Sequence, residues 1–576
     1  MFRALLKKSV NWLVIRKFSS YTYLNLTQFI GALNDNIYKL LIVYFLIQIE
    51  GSDNSHVILA LTGATFVLPF ILFSASSGIL ADRYSKRNII IFTKIFELCI
   101  MLAGIAAFYF ANKWGLFAIL FLLATHSAIF APSKYGILPE IVSSDKITQA
   151  NGIMTSFTFL AIILGTFIAS FILDITDRNF IAAGILCACF STIGFLASLC
   201  IEYTDPAGST KRFNVLFLKE IYSSLKLAAR YPSLLTAVLG SAYFLFLGAF
   251  IQLNIIPYAI HSLDLSDVQG GYLFLLTALG IGTGSILAGK ISGKTVELGL
   301  VPLAAFGVTL ACYSLDFFSG DLVTVIPCVL LLGMFGGMYQ IPMDSYVQIA
   351  SPKDTRGQIV AATNFMSFIG VLLASCLIYV NREIFGLSAN QGFSLMGTIT
   401  LSVGVIITYQ FFDYITRFVA MILSRLHYSL TFHGLKNIPE EPAIYLCYHQ
   451  AWNETLILLG SQRRRIRFFI ENEKDHSRWL KRLYKLLRVV LLPAPEHFIN
   501  DPNFFSEIQN SLDRGISVCI FVDNPDLKFE KRRIEENYPY LVPIIPVIIE
   551  QGIKKENPLF ARLLRKFRVP AAISFG

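Results

Sequence analysis

The 576-residue chain is short of charge: Asp, Glu, Lys and Arg make up only 15% of it, where a soluble domain carries about 25%. So much missing water-facing surface excludes a disordered protein and a purely soluble enzyme. Cysteine is thinly scattered. The nine, at positions 99, 187, 189, 200, 312, 328, 376, 447 and 519, form no C-x-x-C pair and have no histidine cluster beside them. Spacing therefore excludes a disulfide framework and a zinc or other metal site, leaving small apolar residues expected inside helices and strands. The start lacks the pattern of a cleaved signal peptide. It is basic (Arg3, Lys7, Lys8, Arg16, Lys17), its apolar stretch is short and interrupted, and no A-x-A site follows. Residues 1–25 read as an amphipathic lead-in on the membrane face.

What is present is apolar: 55% of the residues, with a mean hydropathy of +0.60. A membrane core needs about 20 such residues per helical crossing. Twelve stretches qualify, near 26–48, 57–80, 88–110, 114–132, 150–173, 179–200, 233–256, 269–289, 298–317, 322–342, 358–380 and 393–414. They fall into six-helix halves at 26–202 and 233–414, separated by a polar linker, 203–232. Loop charge tests the count independently. Loops assigned inside carry 19 Lys/Arg, whereas those outside carry Lys113, Arg178 and Arg382. Losing one helix would scramble that alternation, so the chain is expected to have both ends in the cytoplasm.

Past Arg417 the composition changes. The remaining 24 Lys/Arg meet 17 acids, and the apolar runs shrink to strand length at Ala443–Cys447, Val518–Phe521 and Leu541–Ile549. Basic helical stretches such as Ser477–Arg488 lie between them. The pattern predicts a small cytoplasmic α/β domain over 430–576, tethered by an interfacial helix at 415–429. Its basic excess suits anionic lipid headgroups, and no nucleic-acid partner is expected.

The halves repeat one another. Ile79-Leu80-Ala81 recurs as Ile286-Leu287-Ala288, and at the same offset Arg83, Ser85 and Arg87 match Lys290, Ser292 and Lys294. Parallel repeats of six helices are one transporter architecture. The first copy, Gly78-Ile-Leu-Ala-Asp82-Arg83-Tyr-Ser-Lys86-Arg87, resembles the loop signature of the major facilitator superfamily. That resemblance implies the twelve-helix major facilitator fold and a loop that latches one conformational state.

Ionisable residues inside the spans are the candidate transport site, since each costs roughly 2.5–3.5 kcal/mol to insert and normally faces a cavity or a partner. Asp35-Asn36, with Lys39 one turn on, interrupts the first span. Either Asp35 and Lys39 satisfy each other at i,i+4, or the acid serves a substrate or a proton. Asp344 closes the tenth span, and Lys94 with Glu97 reads as a structural pair. Gly31-Ala-Leu-Asn-Asp35-Asn36, Ala131-Pro-Ser-Lys134-Tyr-Gly136-Ile-Leu-Pro139-Glu140, Val296-Glu-Leu-Gly-Leu-Val-Pro302 and Arg356-Gly-Gln-Ile-Val-Ala-Ala-Thr-Asn364-Phe resemble the bacterial lysophospholipid transporter branch of that superfamily, over roughly residues 20–415. The resemblance implies an inner-membrane flippase for lysophospholipid. Charge and position offer Asp35 for the headgroup amine and Lys134 or Arg356 for its phosphate.

Cys447-Tyr448-His449-Gln450-Ala451-Trp452-Asn453-Glu454-Thr455 follows a short apolar strand. It resembles the glycerophospholipid acyltransferase motif, in which an Asp follows the His after four residues. A carboxylate that fixes the imidazole tautomer lets the other ring nitrogen deprotonate a glycerol hydroxyl, so His449 is the candidate base and Glu454, one methylene longer than Asp, its orienting acid. The likeness implies an acyl donor, acyl carrier protein or acyl-CoA, and no bound cofactor. Other motifs of that family have drifted. Phe521-Val-Asp523-Asn524-Pro525-Asp526 and Val490-Leu-Leu-Pro493-Ala-Pro495-Glu496 lack their arginines. Asp523 then stands at the acceptor-phosphate segment, and Arg463, Arg464 and Arg465 are either the replacement phosphate ligands or a solvated basic patch. Two functions stay open: a flippase coupled to reacylation, or a transporter of another amphipathic solute whose C-terminal domain is an inactive docking module.

Overall fold

The computed structural model describes residues 19–51, 55–211, 217–434, 437–439, 441–448, 457–458, 465–471, 490–492, 502–513, 515–522, 526–537, 542–551 and 569–575. The chain divides into two units, residues 1–410 and 411–576.

Among the described residues the first unit is helical, with twelve helices long and apolar enough to cross a membrane. They are α1 (Ser20–Glu50), α2 (Ser55–Arg83), α3 (Lys86–Tyr109), α4 (Lys113–Gly136), α5 (Ile147–Ile175), α6 (Phe180–Leu199), α7 (Leu234–Leu263), α8 (Asp267–Ser292), α9 (Leu300–Phe317), α10 (Leu322–Ala350), α11 (Arg356–Tyr379) and α12 (Ala389–Gln410). Each half has its own core. Ile37, Leu41, Met101, Leu120 and Phe180 centre the first, and Phe250, Tyr258, Val329 and Phe393 the second. Four cysteines (187, 312, 447, 519) are buried as expected, but Cys99, Cys189, Cys200 and Cys376 lie exposed. Lipid is as apolar as a core, so small apolar residues suit the outer face of a membrane helix equally well.

Glycine lets the helices close on one another. In the second half, a Cβ on Gly284 would run into the backbone of Met334 on α10, and one on Gly333 would meet Thr277 on α8. Between halves, α5 and α8 approach in the same way: a Cβ on Gly152 would strike the Ser285 carbonyl, and one on Gly289 would lie 2.9 Å from the Gln149 Cα. Backbones this near need residues without side chains at the crossing. Ser156 Oγ donates to the Gly282 carbonyl across the same seam, at 2.5 Å.

The expected linker contains a helix, Phe217–Ala228. The last span ends earlier than expected, at Gln410, and an amphipathic helix α13 (Phe412–His427) follows it directly. The second unit then forms one sheet of seven described strands: β1 (Tyr428–His433), β2 (Ile444–Tyr448), β3 (Ile466–Glu471), β4 (Val490–Leu492), β5 (Ser517–Val522), β6 (Ile544–Gln551) and β7 (Val569–Phe575). Their order is β1-β7-β6-β2-β5-β3-β4. Neighbours run parallel except β6 and β7. Helices α14 (Pro502–Asp513) and α15 (Leu527–Asn537) supply Phe504, Ile508 and Ile534, which cover the β2–β5 face at Leu446 and Ile520. Strands buried on both faces read as continuous apolar runs, as β5 does.

Candidate functional site

Polar side chains collect in two places within the first half and across to the second. Deep between α1, α3 and α4, the Lys94 ammonium donates to Glu97 Oε2 at 2.5 Å, with both side chains at most 1% exposed. Asn34 Nδ2 donates to the other oxygen at 3.3 Å, and His126 Nε2 stands 3.4 Å from Oε2. Lys94 also lies over the Phe130 ring. The structural pair expected at Lys94 and Glu97 is therefore present, and His126, which sequence reasoning passed over, adjoins it. Its signal was a histidine inside an apolar span.

Asp35 sits one residue on from Asn34. Ser127 Oγ donates to its Oδ2 at 2.8 Å, while Oδ1 is buried with no hydrogen-bond partner among the described residues. Lys39 does not close an i,i+4 pair with it; its ammonium lies over Phe66, 5.4 Å from the ring centroid. Asn36 is turned back on its own helix, donating to the Ala32 carbonyl at 2.7 Å. Asp35 thus keeps a buried carboxylate oxygen with no hydrogen-bond partner among the described residues.

A polar cavity of about 140 Å³ lies where α4 of the first half meets α7, α10 and α11 of the second, lined by Tyr135, Ser241, Gln340, Asp344, Asn364 and Ser367. Ser241 donates to Asp344, and Gln340 Nε2 donates to the same carboxylate at 2.7 Å. Lys134 stacks over Tyr135, 4.4 Å from its centroid. It lies within electrostatic reach of both Asp344 and Asp35. Beside the cavity, Asn151 of α5 exchanges hydrogen bonds with Gln348 at 3.0 Å and donates to Ser345. None of Ser241, Gln340, Gln348 and Asn151 was singled out from sequence, because uncharged polar residues are common at helix contacts.

Arg356 is elsewhere. It opens α11, 6% exposed, within reach of Glu140 and Asp82, and so belongs with the loop signature. There Asp82 accepts from the backbone N–H of Gly357 at 2.6 Å, from that of Gln358 at 2.9 Å and from Gln358 Nε2 at 3.1 Å. A carboxylate of one half thus caps a helix N-terminus of the other, the favourable end of the helix dipole for an anion. Gly78 makes the approach possible: a Cβ there would lie 2.6 Å from that of Ala361 and 2.8 Å from the Gly357 carbonyl. Lys86 binds Glu140 at 2.6 Å. Arg87 donates to the carbonyls of Leu199 and Ile201 at the end of α6, and Arg83 lies exposed beside Tyr84.

In the second unit, His449, Glu454, Arg463, Arg464, Asp523 and the stretch 477–488 lie outside the described residues, and so do residues 1–18 of the first unit. Arg465 is described, half-buried, with its guanidinium over Tyr414, 5.0 Å from the ring centroid.

Twelve membrane helices in two halves, joined by a carboxylate-capped seam, define a membrane transporter. The Major Facilitator Superfamily model matches residues 24–375, and the chain belongs to that family. Lysophospholipid transporter LplT of Photorhabdus laumondii is 25% identical over 354 residues, covering 60% of this chain and 84% of that one. Its Salmonella newport counterpart is 27% identical over 352 residues, with the same shares. Among solved structures, the fold matches the human organic anion transporter MFSD10 (TETRAN) with a TM-score of 0.57 at 15% identity, over 67% of this chain and 98% of that one. It matches a bacterial ferroportin homologue in its outward-facing state with a TM-score of 0.55 at 14% identity, over 69% and 99%.

Proposed function

We propose that the chain carries a lysophospholipid between leaflets of a bacterial inner membrane and that its C-terminal unit reacylates the lipid on the cytoplasmic side. The observation that carries the transport reading is the partnerless Asp35 Oδ1, buried in a unit that also holds Lys134 and a polar cavity at Asp344. A zwitterionic headgroup needs an anion for its ammonium and a cation for its phosphate. Asp35 and Lys134 meet that need within electrostatic reach of each other. Arg356, which lies at the seam beside Glu140 and Asp82 and does not line the cavity, is set aside as the phosphate ligand. The lipid nature of the substrate draws support from the LplT relatives and from the motifs shared with that branch. The orientation, with both termini cytoplasmic, rests on the bias of Lys and Arg among the loops.

Acyl transfer rests on topology. Strands β2 and β5 are parallel neighbours in register, with Tyr448 opposite Val522. The residues that come next in sequence are His449 and Asp523. In an open α/β sheet the carboxyl ends of neighbouring strands are where sites form. His449 would take the proton of the lysolipid hydroxyl as that oxygen attacks the thioester carbonyl of acyl carrier protein or acyl-CoA. The thiol leaves with the proton, and Glu454 holds the ring. The drifted arginine motifs favour the second reading, transport of another amphipathic solute by a chain whose C-terminal unit only docks lipid or carrier.

Labelled lysophosphatidylethanolamine supplied to membranes containing the full chain tests both parts. Inward movement that is lost in Asp35→Asn, with diacyl product appearing when a donor is added, is the expected result. Movement without product under either donor removes the enzyme; undiminished movement in well-inserted Asp35→Asn removes the site.

A further inference from the structure

The loop signature is expected to latch the two halves, but it is not alone at that seam. The linker between the halves returns to it twice. First, the backbone N–H of Ser209 donates to the Asp82 carbonyl at 3.3 Å. Second, the Lys211 ammonium donates to Gln358 Oε1 at 2.8 Å and pairs with Glu220 on the linker helix. Gln358 is the same side chain whose amide N–H₂ donates to Asp82. A continuous polar chain therefore runs Glu220–Lys211–Gln358–Asp82, and its first two members belong to the linker. The linker helix is anchored as well. Ile221, 4% exposed, with Phe217 and Leu225, packs on Ala75 of α2 and on Ala362 and Phe365 of α11, one helix from each half.

We propose that the linker is a strap that holds this end of the transporter shut, with Lys211 and Glu220 acting as positioning residues through Gln358. An amide has one oxygen and one N–H₂ group. While Lys211 occupies the oxygen, the N–H₂ is aimed at Asp82. Without Lys211 nothing among the described residues holds the amide oxygen, and the N–H₂ is no longer fixed on Asp82. The apolar face of the linker helix adds an attachment that spans the seam, so the two halves cannot part here until the helix leaves either α2 or α11. The strap thus sets how often the closed end opens, whatever the cargo, and this inference stands apart from the substrate reading.

The test uses the full chain in lipid nanodiscs, in a cysteine-free background carrying Ser144→Cys and Thr295→Cys. These exposed positions lie on opposite halves, away from the strap. Spin labels there report separation of the closed end by electron–electron resonance. Loss of a charge-assisted hydrogen bond should raise the long-distance population about tenfold in Lys211→Met and in Glu220→Gln. Lys211→Arg should restore the short distance, and adding Gln358→Ala to Lys211→Met should change little more. Asp82→Asn is the control that opens the seam directly. An unchanged distribution in Lys211→Met while Asp82→Asn opens would overturn the strap. Equal opening in Lys211→Arg and Lys211→Met would overturn it too, since a guanidinium can still reach the Gln358 oxygen.

Discussion

Glu97→Gln removes one charge from an ion pair that water does not reach. The two side chains are 1% and 0% exposed and 2.5 Å apart, so solvent screening offers no discount. The amide still offers an oxygen to Lys94, but the ammonium loses the carboxylate it is bonded to. Stranding one member of a buried pair costs about 3–5 kcal/mol. His126 cannot take over as the counter-charge, because protonation would add a second cation beside Lys94. Asn34 loses a charged acceptor at 3.3 Å, a smaller addition. Replacing both partners together, Lys94→Met with Glu97→Met, removes the stranded charge. It should return stability to within about 1.5 kcal/mol of the wild type, the usual cost of a volume-conserving apolar swap. Unfolding by rising SDS fraction in mixed micelles, applied to the wild type, Lys94→Met, Glu97→Met and the double variant, gives the four free energies of the cycle. A coupling of at least about 2 kcal/mol is expected between the two sites. Additive single and double variants, or a Glu97→Gln protein as stable as the wild type, would refute the claim that the pair is a structural strut.

Gly284→Ala should destabilise the second half by about 1–3 kcal/mol, because the new methyl runs into the Met334 backbone; an unchanged SDS midpoint would contradict the glycine crossing. Gly78→Ala, crowding Ala361 across the seam, should instead leave the SDS midpoint nearly unchanged and widen the Ser144–Thr295 distance distribution. Ser506, exposed on α14, should resist an impermeant thiol reagent added from the periplasmic side once changed to Cys; labelling from that side would reverse the topology. His449→Ala should lose roughly 10²–10⁴-fold of any acyl transfer while transport continues, and equal loss of both would argue that the substitution unfolds the chain.

The spans were legible because a bilayer imposes their length and demands an apolar surface all round. The same demand hides which way each helix faces, since lipid and core are chemically alike. Cys99 and Cys187 therefore looked equivalent in sequence, yet Cys99 is exposed and Cys187 buried. Asp35 was singled out because charge in a span is conspicuous. Its partner was not, because local spacing pointed to Lys39 while the fold brought Ser127 from α4. Arg356 lies at the seam and does not line the cavity, a distinction that position along a span does not make. At the loop signature Asp82 takes its hydrogen bonds from a neighbouring helix end. That the end belongs to the other half required the tertiary structure. Three strands of the second unit, β2, β5 and β6, were visible as short apolar runs, but the placement of β5 between β2 and β3 is a matter of topology that runs cannot encode.

The glycine-lined crossing of α5 and α8 has a thermodynamic consequence for the cycle. Side chains interleaved across a contact must choose rotamers when it closes, each losing up to about 2 kcal/mol of freedom. Gly152, Gly282 and Gly289 have none to choose. Along their stretch the halves can part and meet again without ordering or releasing side chains. What must be made and broken there is largely backbone contact and the Ser156 bond to Gly282. Bare backbone at a moving joint keeps the entropy of its two positions nearly level, so the energy difference between them is left to the polar groups at Asp82 and Asn151.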